Sequence, residues 1–198
     1  DLIVSRGLGD VYKRQDKGDV VSIASEGIPE WLFTDLGVIC VGGISSGVYT
    51  TDSSSQVEYL VNDSKTNFYF AENEEQLDKI LEVRNNCPSL KKIIIYDLEG
   101  LHDFSDPQVI SFSELIKLGE SIDKNNPDLF ESLMAKVSPE DIAILVYTSG
   151  TTGPSKGAMI SNKNIVYQIN TGINIFKPQE NDEQLSFLPL CHILERTV

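Results

Sequence analysis

Two short runs constrain the fold more than any other feature: Ile93 to Tyr96, inside "KKIIIYD" at 91–97, and "IAILVY" at 142–147 are apolar on every successive residue and rich in β-branched side chains. A strand of this kind needs cover on both faces, the situation of a parallel sheet sandwiched between helices. Less uniform strand candidates lie at 19–25 ("DVVSIAS"), 43–50 ("GISSGVYT") and 67–73 ("NFYFAEN"). Between them the apolar period changes from strand-like to helical. Ile28, Trp31, Leu32, Leu36, Ile39 and Cys40 predict one helix face, with Pro29 in its first turn, where a missing N–H costs nothing. Val57, Leu60 and Val61 predict a short helix. Leu77, Ile80 and Leu81 predict another, behind an Asn73–Gln76 pair with capping-box spacing. The acidic run "ENEEQLD" suits that helix start. A weaker helix begins near Ser113 in the polar stretch 100–139, and "CHILERTV" reads as the start of a further helix. Alternating strands and helices predict an α/β fold with a mostly parallel sheet flanked by helices.

At 198 residues the chain is the size of one large domain or two small ones. Its net charge of −14 argues against a nucleic-acid surface, which needs clustered Lys and Arg. Cys40, Cys87 and Cys191 are odd in number and lack metal-ligand spacing, which predicts reduced thiols in a cytoplasmic setting. The longest apolar stretch, "LGVICVGGI", is about half of what a bilayer span needs. Residues 1–15, "DLIVSRGLGDVYKRQ", differ from all that follows and resemble peptides translated from sequencing adapters, so they are expected to be a non-native leader. "GLGDVY" within it lacks the third glycine of a dinucleotide fingerprint. The chain reads as cut at both ends, with 16–198 a partial domain.

The chemistry concentrates in "YTSGTTGPSKG", 147–157, directly after an apolar strand. Glycines let backbone N–H groups turn toward an anion, because positive φ carries no penalty for them. The hydroxyls of Thr148, Ser149, Thr151 and Thr152 can donate to phosphate oxygens, and Lys156 adds a point charge. The composition alone also suits a polar surface loop. It does not suit a Walker A loop, which has Gly before the lysine and Ser/Thr after it; here Ser155 and Gly157 flank Lys156.

"YTSGTTGPSKGAMIS" resembles the phosphate-loop signature of the adenylate-forming superfamily, T-S-G-T-T-G-x-P-K-G. Ser155 stands where that pattern has proline, and Pro154 occupies the variable place. "GDVVSIASEGIPEWLFTDLGVICVGGISSGVYTT" is similar to the N-terminal region of that superfamily. "LSFLPLCHILERT" is similar to its L-P-L-x-H-x-x-E-R stretch, whose Glu-Arg ending favours the long-chain fatty acyl-CoA synthetases. The resemblance implies part of the large N-terminal domain of an enzyme that joins a fatty acid to coenzyme A with ATP and Mg2+. Thr148, Ser149, Gly150, Thr151, Thr152, Gly153 and Lys156 would hold the ATP phosphates, and His192 would line the acyl and adenylate pocket. No catalytic residue and no metal ligand is assigned within this stretch, so the 198-residue piece alone is expected to turn over no substrate. Many such enzymes work at a membrane surface, which leaves peripheral attachment compatible with the resemblance. An aryl- or amino-acid-activating relative, or a non-catalytic nucleotide-binding relic, remains an alternative.

Other motifs invite weaker readings. "GISSG" at 43–47 matches a nucleophile elbow with Ser45 as nucleophile, but β-prone "VYTT" follows where a helix is required. Cys191 beside His192 suggests a thiol nucleophile, although a packed thiol is the commoner outcome. Trp31 is expected in the core and His102 in a solvated loop.

Overall fold

The computed structural model describes residues 17–148, 154–183, 185–193 and 196. The first half runs β1 (Val20–Ala24), α1 (Pro29–Cys40), β2 (Ile44–Val48), α2 (Ser54–Ser64), β3 (Thr66–Ala71), α3 (Glu74–Val83) and β4 (Lys92–Ile95). There follow β5 (Val109–Ser111), α4 (Phe112–Asn125), α5 (Leu129–Met134), β6 (Ile142–Thr148), β7 (Lys156–Ser161) and α6 (Asn162–Phe176). The strands form one sheet in the order β5-β4-β3-β1-β2-β6-β7. Every pairing is parallel except β6 with β7, which is antiparallel.

The central strands β3 and β4 divide their residues between two cores. Tyr69, Ala71, Ile93 and Ile95 face α2 and α3, packing with Val57, Leu60, Val61, Leu77 and Ile80. Phe68, Phe70 and Ile94 face the other way, packing with Trp31 and Val38 of α1 and Phe112 and Leu115 of α4. Successive side chains point to opposite faces, so a strand buried twice must be apolar at every position. Ile93 and Ile94 are both 0% exposed, although they serve different cores. On the α2 side a short hydroxyl chain crosses the core: Ser22 and Thr66 lie 2.6 Å apart, Ser64 and Thr66 2.7 Å apart, and Ser64 donates to the Leu60 carbonyl.

Caps set the helix starts. Complete capping boxes form at Ser53–Gln56, Ser111–Glu114 and Ser161–Asn164. Only half of the expected Asn73–Gln76 box forms. Asn73 accepts from the Gln76 amide, while the Gln76 side chain donates to the Thr50 carbonyl instead. The buried face of α1 also differs from its apolar spacing. Trp31, Thr34, Asp35, Gly37 and Val38 are buried, whereas Leu32 and Leu36 are 41% and 58% exposed. A buried ion pair at Asp35, described below, rotates the helix away from its leucines.

The ribbon β6–β7 and the helix α6 were not foreseen. "KGAMIS" is too mixed to read as a strand until it is paired, and α6 has no buried residue, with Val166, Tyr167, Ile173 and Phe176 exposed. In "CHILERTV", read as a helix start, Cys191, His192, Ile193 and Arg196 lie in turns and a bend, and the other four residues lie outside the described residues. Residues 1–15 lie outside the described residues. Among the described residues no helix is long and apolar enough to cross a membrane.

Candidate active site

Thr148 ends β6 and Lys156 begins β7, and the two are directly paired across the antiparallel ribbon. Opposed residues of such a pair project to the same face, so a hydroxyl and an ammonium stand side by side at the end of the ribbon. Both are exposed. Ser149, Gly150, Thr151, Thr152 and Gly153 lie outside the described residues. Tyr147 projects to the opposite face, is buried, and donates to Asp63 Oδ2 at 2.8 Å. Burial first, and then the Asp63 carboxylate, push its phenol up, so it remains a donor. Gly157 opposite it leaves room for the ring: a Cβ there would lie 3.1 Å from Tyr147 Cζ. On the descending limb, Tyr59 Oη of α2 donates to the Ser155 carbonyl at 2.8 Å.

The ribbon turns at the carboxyl end of the parallel strands, where ligands of open α/β sheets bind. The loops after β1, β2 and β3 are laced together there. The Glu26 amide donates to Glu72 Oε2 at 2.6 Å, and Thr50 Oγ1 donates to Glu26 Oε1. Lys79 Nζ donates to the Thr50 carbonyl at 2.6 Å and pairs with Glu75 at 2.8 Å.

His192 reaches the same end. The segment before it lies on β2 because Gly47 has no side chain: a Cβ at 47 would be 2.6 Å from Cys191 Cα. Leu190 then enters the core with α1 and α4. His192 is exposed, and Tyr49 meets it edge to face, with ring centroids 5.4 Å apart and the Tyr49 hydroxyl 3.4 Å from both ring nitrogens. Burial pushes the Cys191 thiol up, against a smaller opposing effect of its hydrogen bond with Tyr49. Cys191 is buried, and a packed thiol of this kind is a structural group in place of a nucleophile.

Ser45 is not a nucleophile either. It lies inside β2, is 0% exposed, and accepts from Arg196 Nη2 at 2.8 Å. Arg196 also forms a buried ion pair with Asp35 and lies 4.6 Å above the Trp31 ring. Trp31 is fully buried, as expected, and His102 is exposed in a loop. The structure thus brings Thr148 and Lys156 together and sets His192 at the same end of the sheet. Tyr49, Tyr59, Asp63 and the Asp35–Arg196 pair were missed, since none forms a local pattern. Among the described residues no group of three or more His, Cys, Asp or Glu could hold a metal ion.

Comparison with known proteins gives the family and the fold. The chain is 32% identical over 182 residues to long-chain-fatty-acid–CoA ligase ACSBG1 of Rattus norvegicus, across 90% of this chain and 24% of that protein. It is 34% identical over 173 residues to long-chain-fatty-acid–CoA ligase ACSBG2 of Xenopus laevis, across 85% of this chain and 23% of that protein. The chain therefore spans about a quarter of the length of the curated relatives it matches. An anthranilate CoA ligase solved with anthranoyl-AMP shares the fold, with a TM-score of 0.70 and 24% identity over 87% of this chain and 30% of that one. The model of the family described as AMP-binding enzyme matches residues 13–198, and the chain belongs to that family.

Proposed function

We propose that this chain is the N-terminal part of an ATP-dependent long-chain fatty acid–CoA ligase. The observation that carries the reading is the pairing of Thr148 with Lys156 at the carboxyl end of the sheet. It places a hydroxyl and an ammonium at the two ends of the phosphate-loop signature. In the first half-reaction a carboxylate oxygen attacks the α-phosphorus of ATP; the P–O bond to the β-phosphate breaks and pyrophosphate leaves. The hydroxyls of Thr148, Ser149, Thr151 and Thr152, the N–H groups of Gly150 and Gly153, and Lys156 hold the β- and γ-phosphates. Such donors stabilise the charge that grows on the leaving pyrophosphate. In the second half-reaction the sulfur of coenzyme A attacks the acyl carbon, the acyl–phosphate C–O bond breaks, and AMP leaves. His192 lines the pocket where acyl group and adenylate meet. Magnesium would accompany ATP through ligands beyond the described residues.

The 198-residue piece alone, about a quarter of the length of its curated relatives, is inactive in this reading. Long acyl chains partition into bilayers, so work at the cytoplasmic membrane surface belongs to the same proposal; vesicle sedimentation of the full reading frame tests it. The reaction is tested by ATP–pyrophosphate exchange on that reading frame with palmitate, benzoate or mixed amino acids. Exchange that needs palmitate and disappears in the Lys156→Ala/Thr151→Ala variant is the expected result. Exchange only with benzoate or an amino acid moves the substrate class. No exchange with any carboxylate leaves a nucleotide-binding relic.

A further inference from the structure

The ribbon that presents Lys156 receives its core support through β6, whose Ala143, Ile144 and Tyr147 are buried. β7 is the last strand of the sheet, and none of its residues is buried. The ribbon's two limbs are also tied to one helix. Tyr59 donates to the carbonyl of Ser155, the residue immediately before Lys156, and Asp63 accepts from Tyr147, the residue immediately before Thr148. Positions 59 and 63 are four apart on α2, so both ties leave the same helix face one turn apart. Gly157 leaves room for the Tyr147 ring beside the second limb, with its ring carbon only 3.1 Å from where a Cβ would be.

We propose that Tyr59 and Asp63 are positioning residues for the polyphosphate loop, a clamp on α2 that sets the separation and direction of its two limbs. The inference rests on the phosphate-loop reading above. Tyr59 has a particular task in this chain. The family pattern has proline where Ser155 stands, and proline would fix φ at that position by its ring. Serine leaves that rotation free, and the Tyr59 hydrogen bond holds the same residue from its other side, at the carbonyl. Proline keeps its carbonyl, so the same tie can form to either residue. Tyr59 and a proline at 155 are therefore alternative means to one end.

The test uses the full reading frame, with Tyr59→Phe, Ser155→Pro and the double variant. A single hydrogen bond of this kind corresponds to roughly a 3- to 10-fold effect. Tyr59→Phe should raise the KM for ATP by about that factor while the KM for the fatty acid stays unchanged. Adding Ser155→Pro should return it to within about 2-fold of the parent, the residue expected when one restraint replaces another. Hydrogen exchange of the backbone between Tyr147 and Gly157, without nucleotide, should quicken in Tyr59→Phe. Equal rises in both KM values, or unchanged exchange and KM in Tyr59→Phe, would overturn the clamp. If Ser155→Pro does not fold, the KM split and the hydrogen exchange of Tyr59→Phe decide alone. If the Lys156→Ala/Thr151→Ala variant keeps full pyrophosphate exchange, the phosphate-loop reading fails, while the hydrogen exchange still reports on the clamp.

Discussion

Replacing Arg196 with Met, or Asp35 with Leu, strands one charge of a pair whose side chains are 2% and 6% exposed. Breaking a buried ion pair from one side costs about 3–5 kcal/mol, because the remaining charge keeps its desolvation penalty without its partner. Asp35→Leu should be the costlier change, since a guanidinium keeps its charge in any environment. Arg196→Met removes the cation above Trp31 and the donor to Ser45. The double variant removes both charges, and it should lie within about 2 kcal/mol of the parent, as apolar replacements of buried pairs often do. The loss at Ser45 is common to Arg196→Met and the double variant, so it cancels between them. Urea denaturation followed by far-UV ellipticity and by the fluorescence of the single tryptophan, Trp31, measures all four proteins. With an m-value of about 2 kcal/mol/M, each single change should move the midpoint down by about 1.5–2.5 M. The reasoning fails if the costs simply add in the double variant, since independence of the two residues would mean that no buried pair is at work.

Three further outcomes are expected. Gly47→Ala places a Cβ against Cys191 backbone atoms, and overpacking of this kind costs about 1–3 kcal/mol. Cys191 should resist iodoacetamide at neutral pH in the parent, through burial and its raised thiol, and react in Gly47→Ala; equal labelling in both would show the contact to be unimportant. Asp106, held below the usual carboxylate range by the Gln108 amide and Arg84, and Glu114, held low by the Ser111 hydroxyl and amide, contribute stability that is complete above that range. It is lost as pH falls through their depressed values, so Asp106→Asn should flatten the acid limb of a stability–pH profile. Ser111→Ala should destabilise α4 by about 1 kcal/mol, seen as a lower thermal midpoint.

Which parts of the protein could be read from the chain follows from the range of the forces involved. Strands apolar at every position, Pro29 at a helix start and the buried place of Trp31 rest on local periodicity and backbone geometry, and all three stand in the structure. The side of α1 that faces inward does not follow from its leucines, because Arg196, 161 residues away from Asp35, draws that side into the core. The β6–β7 ribbon was hidden because "KGAMIS" is an edge strand whose partner, not its composition, makes it a strand.

The phosphate-loop signature is similarly divided. Its glycines, hydroxyls and lysine are contiguous, and a loop that must approach an anion closely needs those residue types in one short stretch, so the phosphate-binding proposal is legible in the sequence alone. Where it is held was decided by the tertiary structure. Tyr59 and Asp63 lie about 90 residues before the limbs they tie, and Gly47 accommodates Cys191 from a strand near the start of the chain. Side chains so distant in sequence leave no local pattern, since only folding of the parallel sheet brings their elements to one edge.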